Sequence, residues 1–252
     1  MSVRVGAMVA AFGLLVAATA QAADVRVISA GAVKSIVTDL VPIYEKETGN
    51  KVVMEFGPMG FVRQKLASDP ADVVIMSDTV LDDTIAKGGV VAGSRSDIWR
   101  TGMGLGVRDG APKPDISTVD AFKRALLEAK SLVYVDPASG ATSGTHFAAV
   151  LQKLGIADAV KPKTKLVPGG YPAELVAKGE VEMVVHQISE IVPVRGVTLV
   201  GPLPKDLQKL TVYSAGLATG STQPDAAKAF IAFVSRPAFK AKFASAGLDY
   251  RD

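Results

Sequence analysis

No cysteine occurs among the 252 residues, and histidine occurs only twice. The first absence excludes disulfides, thiolate nucleophiles and cysteine-ligated metals together. The second leaves His146 and His186 isolated, with no HExxH-like spacing and no paired carboxylates, so nothing points to a metal or to any other cofactor. No block of lysine and arginine forms a phosphate-tracking stripe. The formal charge of +3 is therefore a solvated surface with a slight basic bias, and nucleic acid is not an expected partner. Beyond the N-terminus no apolar run is long enough to span a bilayer. Internal repeats and low-complexity linkers are also missing.

What is present is globular: 48% apolar and 21% charged residues, in a length that suits one large domain or two smaller ones. Arg4, the apolar run 7–18 and the small-x-small pattern Ala20-Gln21-Ala22 read as an export signal, 1–22, cleaved before Ala23. Its removal takes the formal charge from +3 to +2. The expected mature protein is periplasmic, free of membrane insertion and monomeric.

Strand-like and helix-like runs then alternate. Val25–Ser29, Lys51–Phe56 and Asp72–Met76 read as strands. Between and after them come helices: one over Ile36–Tyr44 stopped by Gly49, one at about 61–67, and one capped by Ser77-Asp78. A second series has strands at Ser131–Val135, Lys165–Val167, Val181–Val185 and Val197–Val200. Its helices fall at Ala121–Ala129, His146–Leu154 and Pro172–Lys178. Thr211–Ala218 reads as extended, and helices over Asp225–Val234 and Ala238–Ala246 close the chain. This alternation implies α/β architecture, with mainly parallel sheets covered by helices. The expected division is a first lobe of 23–105 plus 210–252 and a second of 106–209, with a cleft between them. Ligands of open α/β sheets bind outside the carboxyl ends of the strands.

One stretch, DPASGATSGTHFAAVLQKLGI (136–156), places small and hydroxyl-bearing residues directly before an amphipathic run. Such a loop leaves free backbone N–H groups at a helix start, a natural place to hold an anion. It lacks the lysine of a phosphate-binding P-loop. Ser143 has no G-x-S-x-G frame and the sequence places no acid–His partner for it, which points away from a serine hydrolase. Gly102, Gly104 and Gly106 do not have dinucleotide-fingerprint spacing and read as a hinge strand.

The order VRVISAGAVKSIVTDLVPIYEKETGNKV, PADVVIMSD (70–78) and DPASGATSGTHFAAVLQKLGI resembles the molybdate-binding family of periplasmic solute-binding proteins across essentially the whole mature chain. That resemblance implies a two-lobed, type II periplasmic-binding fold whose lobes close on a solute and deliver it to the permease of an ABC importer. The family's serine after the first strand is replaced here by Ala30-Gly31-Ala32, and the serines after the second strand by Gly57-Pro58-Met59-Gly60. A tyrosine after a later strand aligns with His186. Losing several hydroxyls removes hydrogen bonds that a dry oxyanion site needs, which points away from molybdate.

The candidate binding residues are Gly31, Ala32, Met59, Gly60, Arg63, Ser143, Thr145, Tyr171 and His186. Backbone N–H groups with Ser143 or Thr145 suit carboxylates, and Met59 and Ala32 suit a carbon skeleton. Arg63 is either a bidentate carboxylate contact or a solvated arginine on an outer helix face. His146 reads as a hydrogen-bonded structural residue, whereas His186 is divided between structure and the cleft. The leading expectation is a receptor for a small organic anion, a di- or tricarboxylate. The runner-up is a cofactor-independent isomerase, because the resemblance extends to aconitate isomerases. In that reading His186 shuttles an allylic proton and Tyr171 assists. A molybdate or tungstate receptor using backbone N–H groups is the third.

Overall fold

The computed structural model describes residues 22–250; the expected export signal, apart from Ala22, lies outside the described residues. The first strand of the described residues lies inside a sheet, one place from its edge. β1 (Asp24–Ala30) pairs in parallel with β2 (Lys51–Gly57) on one side and β3 (Val73–Ser77) on the other. β3 is buried along its whole length, which explains its unbroken apolar sequence. Between these strands run α1 (Lys34–Thr48) and α2 (Met59–Ser68), with α3 (Asp78–Ala86) following β3. α1 buries Ile36, Val37, Leu40 and Tyr44 at helical spacing and ends on Gly49, whose φ of 76° only glycine adopts without strain.

Each sheet is mixed rather than mainly parallel, because the crossing strands and the chain's last strands join antiparallel. β4 (Ser96–Thr101), β10 (Thr211–Leu217) and the two-residue β11 (Asp249–Tyr250) complete a six-stranded first sheet in the order β11-β4-β10-β3-β1-β2. β10 is antiparallel to β3 and to β4. The second sheet has the order β7-β6-β8-β5-β9. Its parallel centre is β6 (Leu132–Val135), flanked by β7 (Thr164–Val167) and β8 (Met183–Gln187), while β5 (Met103–Arg108) runs antiparallel to β8 and to β9 (Val197–Pro202). The antiparallel strands β5 and β10 are those that begin where the chain passes between the sheets.

Helices α4 (Val119–Glu128), α5 (Thr142–Lys153), α6 (Ala157–Val160), α7 (Ala173–Ala177) and α8 (Ile188–Ile191) belong with the second sheet. α9 (Pro224–Val234) and α10 (Lys240–Ser245) return to the first. Each lobe has its own aromatic core. Tyr44 lies edge-on to Phe230 and Phe233 at centroid distances of 5.2 and 5.3 Å, and Phe147 on α5 meets Tyr134 at 5.0 Å. Asp72, inside the PADVVIMSD motif, accepts from the backbone N–H of Arg26, Thr222 and Gln223 and from the Ser221 hydroxyl, which ties the start of α9 to the first sheet. That motif therefore serves the fold rather than the cleft.

The chain crosses between sheets at Gly102 and again between β9 and β10. Gln208, in the second crossing, accepts from Met103 N at 2.7 Å and donates to Met103 O at 2.8 Å, so one side-chain amide clasps both crossings. Gly102 lies against this amide, and a methyl group added there would sit 3.1 Å from it.

Candidate functional site

The parallel strands β1, β2, β6 and β8 all end at one cavity, of ≈ 610 Å³ counted out to its open mouth. Ala30, Gly31 and Ala32 follow β1, and Pro58 and Met59 follow β2; these form the wall contributed by the first lobe. Facing them are Ala141, Thr142 and Ser143 at the start of α5, and Gly169, Gly170 and Tyr171 after β7. Three helices of ten or more residues begin here: α1, α2 and α5. Their N-cap residues are Val33, Pro58 and Ala141, none of which makes a side-chain cap. By contrast α4, whose residues do not line the cavity, has the Thr118 hydroxyl accepting from Ala121 N. α2 and α5 thus begin at the cavity with no side chain capping their first N–H groups, whereas at α1 the turn Gly31–Val33 precedes the helix and Lys34 N donates to Gly31 O.

The lobes touch around the cavity. A Cβ at Gly60 would lie 2.5 Å from Ser139 O, and one at Gly169 would lie 3.3 Å from the Pro58 ring. Lys34, on the first turn of α1, places its ammonium 5.9 Å from the Phe56 ring centroid and 5.6 Å from that of Tyr171, so it joins aromatic faces from both lobes. The floor is polar and dry. His186 and Glu190 come within 3.3 Å, Nε2 to Oε2, with side chains 3% and 9% exposed. Neither ring nitrogen of His186 has an aligned hydrogen bond. Gln187 donates to Thr211 Oγ1 at 3.2 Å and to Tyr213 Oη at 3.4 Å, joining β8 to β10 across the lobes.

Burial pushes the phenols of Tyr171 and Tyr213 upward, and the negative charge of Glu190 adds to the shift in both. Both therefore stay protonated and can donate a hydrogen bond to an anion. The Ser35 backbone N–H acts the other way on Tyr171, as does the Gln187 amide on Tyr213.

This arrangement of uncapped helix starts at a closable cleft agrees with comparison to known proteins. Residues 25–249 match the model of the family described as bacterial extracellular solute-binding protein. The chain belongs to that family. It is 35% identical to an aconitate isomerase of a Pseudomonas species over 85% of this chain and 84% of that one. It is 30% identical to the molybdate-binding protein ModA of Azotobacter vinelandii, covering 94% of each. A solved periplasmic molybdate-binding protein from A. vinelandii has the same type II fold, with a TM-score of 0.73 at 18% identity over 90% of this chain and 100% of that one.

In this solute-binding protein six of the residues singled out from sequence line the one cavity: Gly31, Ala32, Met59, Ser143, Tyr171 and His186. Three do not. Arg63 points outward from α2 and pairs with Asp83 at 3.7 Å, both side chains more than half exposed. The outward alternative stated for it is the observed one. Thr145 is exposed because α5 begins at Thr142, four residues before the expected His146; at 100° per residue, Thr145 is turned away from buried Ser143. Gly60 sits at the lobe contact with Ser139 rather than in the cavity wall. His146 accordingly lies in the second turn of α5, where Nε2 contacts Leu207 O at 2.8 Å.

Sequence reasoning missed Lys34, Gln187, Glu190 and Tyr213, all of which line the cavity. Glu190 had a local signal: it stands four residues after His186, beyond a strand end. Tyr213 had none, since β10 reaches the floor from the far end of the chain.

Proposed function

We propose that this protein is a periplasmic, cofactor-independent isomerase of a small unsaturated polycarboxylate, with cis- and trans-aconitate the specific pair, exported by residues 1–22. The observation that carries this reading is the buried contact of His186 with Glu190 at the floor of an anion-holding cleft. A receptor needs only donors around its solute, and a buried imidazole–carboxylate pair adds no donor that binding alone requires. An isomerase needs a base, and an imidazole backed by a carboxylate is one. The sequence-based order of the two leading readings is thereby reversed. The likeness to an aconitate isomerase supports the same choice.

In this reading the substrate carboxylates sit at the start of α5 with Ser143 and beside Lys34, while Met59 and Ala32 cover the carbon chain. His186 removes a proton from the methylene carbon as the electron pair spreads through the double bond into the conjugated carboxylate. The proton returns to the far carbon of the allyl system, and the double bond shifts. Atoms and charge balance without a co-reactant. Tyr171 and Tyr213 donate hydrogen bonds to the developing negative charge.

The uncapped helix starts favour a second reading, a receptor that delivers the same class of anion to an ABC importer without altering it. Incubating the mature protein with trans-aconitate while following absorbance separates the two. Turnover that falls by a factor of about 10²–10⁴ in His186→Ala, with thermal stabilisation by aconitate retained, is the expected result. Stabilisation without turnover in the wild type makes it a receptor. Stabilisation by molybdate alone removes the organic anion from both readings.

A further inference from the structure

We infer that Glu190 is the positioning residue of this site, holding His186 in the tautomer protonated on Nε2 so that Nδ1 is the atom that takes and returns the substrate proton. The catalytic consequence rests on the isomerase reading, whereas the tautomer is a property of the free protein. The geometry is local and specific. His186 ends the cavity side of β8 and Glu190 lies one turn on in α8, with Oε2 3.3 Å from Nε2 and both side chains at least nine-tenths buried. An ionised carboxylate only accepts hydrogen bonds, so the nitrogen facing it is the one that carries hydrogen. Nδ1, which has no hydrogen-bond partner, is then left with the lone pair. The contact is not an aligned hydrogen bond, and such catalytic contacts tighten only in the complex with substrate.

The carboxylate is enclosed by both lobes. From the second come His186 and Tyr171, and from the first Tyr213 and the backbone of Gly31, where an added Cβ would lie 3.1 Å from Oε1. Lys34 lines the same cavity, and Asp78 adds its charge from beyond Tyr213. The two lobes thus already exclude most water from Glu190. When Nδ1 forms its bond to the allylic proton and the C–H bond breaks, the ring becomes an imidazolium beside that carboxylate. The ion pair is complete only while the proton is in transit, which directs the stabilisation to the transition state rather than the bound substrate. Gly31 is small for the same reason: any side chain there meets Glu190.

Ring-nitrogen NMR on ¹⁵N-histidine-labelled mature protein tests this directly. The chain has two histidines, and a His146→Gln variant assigns both. The expected spectrum has His186 as the Nε2–H tautomer in the wild type and as a mixture in Glu190→Gln. A wild-type ring protonated on Nδ1, or a tautomer unmoved in the variant, overturns the inference, and the wild-type measurement needs no variant to fold. In turnover of aconitate, Glu190→Gln is expected to lower kcat by about 10²-fold or more at nearly unchanged KM, with Glu190→Asp recovering part of it. Loss of kcat in step with melting temperature, without rescue by Asp, marks a merely structural carboxylate and overturns it. A wild type that binds aconitate but never turns it over refutes the isomerase reading and the proton-transfer half with it, while the NMR result still decides the tautomer.

Discussion

Lys34 is exposed at the mouth of the cavity, yet two aromatic rings from different lobes flank its ammonium. It is the only lysine or arginine lining the cavity among the described residues. A substrate with carboxylates at both ends can engage it while its other end occupies the start of α5. Lys34→Met is therefore expected to weaken binding of aconitate by about 10–100-fold, the worth of one charge-assisted hydrogen bond, and to leave a monocarboxylate of similar shape nearly unaffected. Calorimetric titration of both ligands checks this. Equal losses for both would remove Lys34 from any selective role. Lys34 escaped the sequence reading because exposed lysines are common; only the approach of Phe56 and Tyr171 distinguishes it. Ser143 and His186 were legible because each sits at the junction of a strand end or loop with a helix. Thr145 was misplaced because a residue type cannot tell which side of a first helical turn it will face.

At the scale of elements the small residues of 139–145 form no extended loop. The last four of them are already helix, and α5 starts at Thr142. Serine, threonine and glycine are poor helix interiors, so the pattern reads as loop. Tertiary packing decides otherwise: a Cβ at Gly144 would lie 2.2 Å from Val135 O, so the helix start is pressed against the end of β6. Its N-cap, Ala141, has no side chain that can satisfy the first N–H groups. Installing one exchanges ligand binding for stability. Ala141→Ser is expected to stabilise the ligand-free protein by about 0.5–2 kcal/mol, since the new hydroxyl caps the helix internally. The same change should reduce anion affinity because it occupies the donors. Thermal melts with and without aconitate report both effects at once, and a rise in affinity would show that these N–H groups do not hold the ligand.

For the whole molecule, the βαβ alternation was legible because three parallel strands in each sheet are joined by helical connections, of which only α7 is as short as five residues. β4, β5 and β10 were readable as extended stretches, but their sheet partners lie far away in sequence: β10 inserts between β3 and β4 across more than a hundred residues. Closure is a property of the same scale. Gly60 lies inside α2, where alanine is favourable, yet an added methyl would collide with Ser139 O of the other lobe. Gly60→Ala is expected to push the lobes apart at this contact, to enlarge the radius of gyration measured by X-ray scattering, and to weaken binding. A variant that closes normally would show that this contact is not part of the closed state.

The Gln208 clasp on Met103 lies beside the floor of the cavity, since Met103 is paired with Gln187 and Gly104 with His186 across β5 and β8. The Gly60–Ser139 contact between the lobes lies outside the cavity lining. If the lobes pivot at this clasp, the parts nearest it sweep the shortest arc and the floor is the last region to wet. In the proposed isomerase, a proton lifted onto His186 would then stay hidden from solvent until the lobes had nearly finished parting. Deuterium placed on the substrate would be carried to the far carbon rather than washed out, and the site would act as a conservative relay that keeps its hydrogen within one molecule.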